Sequence, residues 1–259
     1  MSLDRNVGTS YKDILQVDNS NNGVATSLKV VKDGLGNQSS LYISDDQVKV
    51  KPENDDTTTL FDVQDKDGNT KLVVDTSNDY VKALGHHVNT QIQQFVLHDS
   101  DCTAGSHHAM VVGGGTQVTG STFTEKIIGT GTDPATTLDV SGDTAYQWVQ
   151  HFWYVPANIT VDSVHLLFSN EDASGGAGIN FHVMSYAMST SGGSYGDLSD
   201  GTVVADDSAT TSVLQTEIRY KTLTVQSADV VSGRVIVCTM ESTTTDDIYA
   251  NLQLKYHFK

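Results

Sequence analysis

Positive charge is scarce in this chain of 259 residues. Lys and Arg together number 15 against 32 Asp and Glu, a formal net charge of −17. Binding to nucleic acid through a basic surface is excluded, because neutralising phosphates needs clustered Lys and Arg. Anionic membrane surfaces are disfavoured for the same reason, and no apolar run approaches the roughly 18 residues of a spanning helix. Two cysteines, Cys102 and Cys238, are too few for a disulfide scaffold and read as small buried hydrophobes. The start, Met1-Ser2-Leu3-Asp4-Arg5-Asn6, has no apolar stretch, so no secretory signal is expected. Glutamate is scarce too: 27 of the acids are Asp and 5 are Glu. Asp and the many Thr favour caps, turns and strands over helix interiors, so a mostly helical protein is excluded.

What is present is a succession of short β-forming runs cut by Gly, Asn and Asp. Residues 1–85 carry a net charge of −5 and residues 86–259 one of −12. Phe61 is the sole Phe before residue 90, and both tryptophans, Trp148 and Trp153, come late. In the first part, Ile14–Val17, Ser27–Val31, Leu41–Ile43, Val48–Val50, Leu60–Val63, Leu72–Val74 and Tyr80–Val81 alternate with turn clusters, the strongest hairpin signal available in a single sequence. Leu15–Leu28–Val30 and Phe61–Leu72–Val74 are spaced as a degenerate repeat of about 46 residues. The segment Asp65-Lys66-Asp67-Gly68-Asn69 has some features of a calcium loop, but Gly directly follows the second Asp, and a type I′ hairpin turn fits better. Each of these strands offers only two or three large apolar residues. One copy could not offset its own ordering entropy, so an obligate oligomer, three chains wound together, is expected over residues 11–85.

The second part has longer, often aromatic-rich runs: Phe123–Ile128, Thr137–Val140, Tyr146–Val155, Ile159–Phe168, Ile179–Tyr186, Ile218–Val225, Val235–Met240 and Ile248–Phe258. The last alternates cleanly over eleven residues, as a half-buried strand does. Eight strands with regular turn signals predict an antiparallel β-sandwich of jelly-roll type over residues 121–259. Residues 86–120, with His86-His87, His107-His108 and Gly113-Gly114-Gly115, read as a neck with a short strand at Phe95–Leu97. Ser227–Val231 is the one helix candidate, a single turn at most.

The stretches Tyr11–Gly23, Lys32–Leu41 and Leu60–Asp79 resemble segments of fibre-like virion proteins of marine tailed phages. The likeness covers residues 11–85, with a looser one over 145–259. It implies an all-β chain with an N-terminal trimeric β-rich shaft and a C-terminal head, carried on the particle surface and assembled in the host cytoplasm. It implies no catalytic motif and no cofactor. Only about ten residues, 1–10, precede the first strand, where such fibres usually carry a long docking domain. Attachment to another virion protein, tail or capsid, would fall to Leu3, Asp4, Arg5 and Tyr11. A capsid-bound head fibre or decoration protein is the alternative, and a glycan-degrading spike a second one.

For host-surface glycan recognition the candidates are an aromatic and acids in polar loops: Tyr195, Asp197, Asp200, Asp206, Asp207, Asp246 and Asp247, the two doublets being read as solvated loop tips. Sugar sites pair aromatic platforms with such acceptors. No metal is expected; if one were held, His86, His87, His107 and His108 are the candidates, as threefold-related imidazoles in a trimer. Adjacent histidines in a strand face opposite sides, so one of each pair could serve. The one Gly-x-Ser-x-Gly match, Gly192-Gly193-Ser194-Tyr195-Gly196, reads as part of a Gly/Ser loop and not as the strand-to-helix elbow of a hydrolase nucleophile, and an enzyme is not expected.

Overall fold

The computed structural model describes residues 15–20, 22–99, 102–113, 126–140, 147–171, 177–190, 195–207 and 211–259. The chain is all-β and antiparallel, and it divides into two units, Met1–Val88 and Asn89–Lys259. Among the described residues, no helix is long and apolar enough to cross a membrane.

The first unit is two meanders in which each strand pairs with the next in sequence. One consists of β1 (Gln16–Val17), β2 (Lys29–Lys32), β3 (Gln38–Ile43) and β4 (Val48–Val50). The other consists of β5 (Phe61–Gln64), β6 (Thr70–Asp75), β7 (Tyr80–Ala83) and β8 (His86–His87). The same turn chemistry shapes both. Between β2 and β3, Asp33 Oδ1 accepts the amides of Leu35 and Asn37 (2.9 and 2.8 Å). Between β5 and β6, Asp65 Oδ1 accepts those of Asp67 and Asn69 (3.0 and 2.9 Å). Gly36 and Gly68 both have positive φ, +89° and +83°. In each, the Asn carbonyl takes the Asp amide and the Gly amide reaches the Asp carbonyl.

These are three-residue loops closed by a left-handed glycine, with the β5–β6 register shifting beside it at Val63/Gln64, and not the expected type I′ turn, which needs two positive-φ residues in succession. The repeat they mark is Asp-x-x-Gly-Asn at 33–37 and 65–69, a period of 32 residues. Apolar spacing pointed to 46; the turn residues are the part under geometric constraint.

The second unit is built on one twelve-stranded sheet: β9 (Thr90–Asp99), β10 (His107–Ala109), β11 (Val111–Val112), β12 (Trp153–Tyr154), β13 (Ile159–Asn170), β14 (Ala177–Met188), β15 (Leu198–Asp206), β16 (Thr211–Val213), β17 (Arg219–Val225), β18 (Asp229–Val230), β19 (Arg234–Ser242) and β20 (Ile248–Phe258). Its order is β10-β19-β14-β15-β17-β13-β20-β9-β11, with β12 on β19, β16 on β14 and β18 on β13. The β15–β17 junction is short, Ala205↔Val225 and Asp206↔Thr224. There the sheet folds over, so that residues of both halves, among them Phe168, Phe181, Val183, Ile236, Leu252 and Leu254, meet in one core. The outermost strands, β10 and β11, are separated in sequence only by Met110. The chain thus steps from one half to the other and leaves the sheet nearly closed, which removes most of the exposed edge.

Several expectations change here. The sequence suggests a neck over residues 86–120 with a short strand at Phe95–Leu97; that strand is the middle of the longer β9, and β9, β10 and β11 all belong to this sheet, β9 pairing along its whole length with β20. Trp148–Val155 is not one strand. Val149–His151 forms a 3-10 turn and only Trp153–Tyr154 is extended, pairing with β19, because Trp148 packs onto the face of the sheet before the chain reaches it. Ser227–Val231 contains β18 instead of a helical turn.

The half made of β10, β19, β14 and β15 is covered on its second face as well. Ile128, Val140 and Trp148 pack there against Met184, Tyr186, Val235 and Val237. The segment 126–140 lies close against the sheet, with the Gly201 amide donating to the Thr136 carbonyl at 2.9 Å.

Candidate functional site

The covered face is apolar at one end and polar at the other. Cross-strand pairing puts Tyr186 beside Val235 and Met184 beside Val237, then His182 beside Thr239 and Asn180 beside Glu241, which in turn faces His107. Alternation places all of these on one side of the sheet. Apolar packing ends at His182, and an open groove of about 550 Å³ begins, lined by Thr130, Gly131, Thr132, Gly178, Asn180, Glu241 and Thr243.

Two histidines form the floor beside it. His107 and His182 are 0% and 2% exposed, and their rings meet edge to face at 5.0 Å. His107 Nε2 bonds the Gly131 carbonyl at 2.8 Å and so must carry a hydrogen. Backbone bonds from the His107 amide to Gly129 O and from the Ile128 amide to His107 O fix the same loop. His182 Nε2 stands 3.4 Å from Asp133 Oδ1. Asp206, opposite His182 in register, completes a group of three whose ligand atoms lie within 4.8 Å of one another. Burial holds His182 below the usual imidazole range, and His107 adds to this. At neutral pH the ring is therefore uncharged, with a lone pair available. Three buried polar atoms on this face, His107 Nδ1, His182 Nδ1 and Thr239 Oγ1, have no hydrogen-bond partner.

The sequence candidates are divided between opposite ends of the sheet. β15 starts at Leu198, next to Tyr195 and Asp197 and with Asp200 as its third residue, and ends at Asp206, eight residues after its start. Asp246 and Asp247 precede β20 at the Asp206 end, where β13, β14 and β19 also have their matching termini. Tyr195 is 68% exposed. The Asp197 carboxylate accepts the Val140 amide at 2.9 Å, an anchoring task. Asp200 gives its carbonyl to Arg234 Nη2 at 2.6 Å. The doublet Asp206-Asp207 is no loop tip: Asp206 ends a strand, and Asp207 is 9% exposed and paired with Lys221. Asp246 and Asp247 are half-buried. His86 and His87 make up β8 in the first unit. His107 and His108 are both buried and face opposite sides, His108 Nε2 lying 3.1 Å from the Thr103 carbonyl. Leu3, Asp4, Arg5 and Tyr11 lie outside the described residues.

A serine and a histidine also meet on β13. Ser163 Oγ is 2.9 Å from His165 Nε2, and His165 Nδ1 is 2.8 Å from the Tyr220 hydroxyl. The third member is a phenol in place of a carboxylate, and Tyr220 is 64% exposed, so this trio has neither the acid nor the shelter of a hydrolase site.

No protein-family model matches the chain, and no curated protein matches it. Two solved structures are similar at a low level. The CBM22-1–GH10 modules of the Clostridium thermocellum endo-1,4-β-D-xylanase 10B, complexed with xylohexaose, share 13% identity over 41% of this chain and 18% of that one, with a TM-score of 0.24. The infectious bursal disease virus Gx strain structure shares 8% identity over 69% of this chain and 34% of that one, with a TM-score of 0.29. The chain therefore spans well under two thirds of either, and likeness at this level assigns no function.

Proposed function

We propose that the protein is a fibre-like structural component of a virion, in which three chains join through their first units and the second units act as heads that recognise a host-surface glycan. The observation that carries this is the uncovered apolar surface of the first unit. Among the described residues its buried apolar side chains are Val30 and Val31, whereas Leu41, Val48, Val50, Phe61, Val63 and Leu84 are each at least 36% exposed. In the second meander, register puts Phe61, Val63, Leu72, Val74, Val81 and Ala83 on one face, and none of the six is buried. In the first, Leu41, Ile43, Val48 and Val50 share a face in the same condition. Faces of this kind are stable in water only when another surface covers them. A second and third copy of the same repeat supply that surface by symmetry.

The groove of the second unit suits a hydroxyl-rich ligand, since its lining offers hydroxyls, an amide and a carboxylate. It lies at the end of the sheet away from Asn89, where the chain enters. Light scattering of the full chain should give three times the 27.8 kDa chain mass, and antibodies to the chain should label intact particles. A monomer at micromolar concentration, or unlabelled particles, would overturn the reading.

A further inference from the structure

We infer that Asp133, His182 and Asp206 form a binding site for one divalent transition ion of the zinc class, which fastens the crossing segment to the sheet. The inference is independent of the fibre reading. The three residues come from separate places, Asp133 from the segment over the sheet, His182 from β14 and Asp206 from β15, and their ligand atoms converge within 4.8 Å.

The separation of the ligand atoms has room for an ion. At 3.4 Å, His182 Nε2 and Asp133 Oδ1 are too far apart for a strong bond. They match the edge of a tetrahedron around an ion with bonds of about 2.0 Å, whose ligand atoms stand about 3.3 Å apart. One imidazole and two carboxylates are a donor set for Zn²⁺ or Mn²⁺ rather than for Ca²⁺, which takes oxygens only. The two carboxylates also balance a 2+ charge.

A second observation points to the same spot. Next to the carboxylates, the sheet buries His107 Nδ1, His182 Nδ1 and Thr239 Oγ1 without partners. Thr239 is the cross-strand neighbour of His182, and the His107 ring touches it edge-on. Leaving such groups unpaired in a core is costly, and an ion with its bound water beside them is one way such a cost is met. Three protein ligands leave a tetrahedral ion one further position for an oxygen of solvent or ligand.

The test is competition against a chromophoric chelator, with native mass spectrometry for stoichiometry, on the full chain stripped with EDTA and then given Zn²⁺. One Zn²⁺ per chain is expected, with affinity falling at least tenfold in Asp133→Ala and in Asp206→Asn. Asp133 is 56% exposed at its side chain, so its variant should keep the wild-type circular dichroism spectrum. Zn²⁺ should raise the wild-type thermal midpoint and leave that of Asp133→Ala unmoved. Absence of Zn²⁺ binding, undiminished affinity in both variants, or binding of Ca²⁺ in preference to Zn²⁺ would each overturn the inference.

Discussion

Gly201 and Thr136 are in backbone contact: a Cβ added at Gly201 would stand 2.7 Å from Thr136 Cα and 3.0 Å from its carbonyl oxygen. The same Cβ would meet the Tyr186 ring at 2.6 Å, and Tyr186 in turn donates its hydroxyl to the Ala135 carbonyl at 2.9 Å. The segment over the sheet is therefore seated where only glycine allows it. Gly201→Ala should destabilise the second unit by about 2 kcal/mol or more, since overpacking against backbone cannot relax by a rotamer change. Thermal unfolding measures it; a midpoint within error of wild type would show that the segment is not held there.

His151 holds the chain at the point where it passes between the halves of the sheet. Its Nδ1 lies 3.1 Å from the Met110 carbonyl; a carbonyl only accepts, so Nδ1 carries the hydrogen. Burial is the main cause that lowers its pKa to about 4. The folded state thus takes up this proton later than the unfolded chain does. The associated stability is complete above about pH 6.5 and is lost as the pH falls towards 4, about 3 kcal/mol in all. An NMR titration should place the His151 ring near pH 4; a value near 6.5 would contradict the buried, neutral assignment.

Asp65 is held at about pH 2, chiefly by its side-chain bond from Asn69, with the Asn69 amide and Lys71 adding to it. A carboxyl lowered in the folded state contributes stability that is present above its ordinary value near 3.8 and lost as the pH falls through about 2. Hydrogen-exchange protection at Asn69 should therefore weaken over that interval. Asp65→Ala should lower the protection at all pH values and remove its dependence on acid.

Phe61 and Val63 are 44% and 42% exposed in the single chain. Were the chain a monomer, replacing them with lysine would change stability by less than about 0.5 kcal/mol. In a trimer joined through this face, Phe61→Lys with Val63→Lys should reduce the scattering mass to that of one chain. Retention of the wild-type mass would place the contact elsewhere.

Parts of this architecture can be read directly from residue order. The alternation of Ile248–Phe258 corresponds to β20 residue for residue, and the Ile159–Phe168 run lies inside β13, because a half-buried strand imposes period two on its own sequence. Trp148–Val155 is equally apolar yet is strand only at Trp153–Tyr154, because Trp148 is buried by packing onto a sheet face and not by strand pairing. The aspartate–histidine group could not be seen at all. Positions 133, 182 and 206 share no local spacing, and they meet only because β14 and β15 pair in one register while a distant segment crosses above them. His107 stands out in the sequence through its neighbour His108, but its ring partner in space is His182.

The pairing of β9 with β20 sets Thr90 opposite His257, and Asn89 donates its side-chain amide to the Phe258 carbonyl at 2.7 Å. Entry and exit of the second unit are thus side by side. A domain with this layout can be cut out and spliced into a surface loop of an unrelated protein, because bridging its two ends stretches neither partner. Modular exchange by recombination, or grafting by design, therefore needs no rebuilding of the sheet.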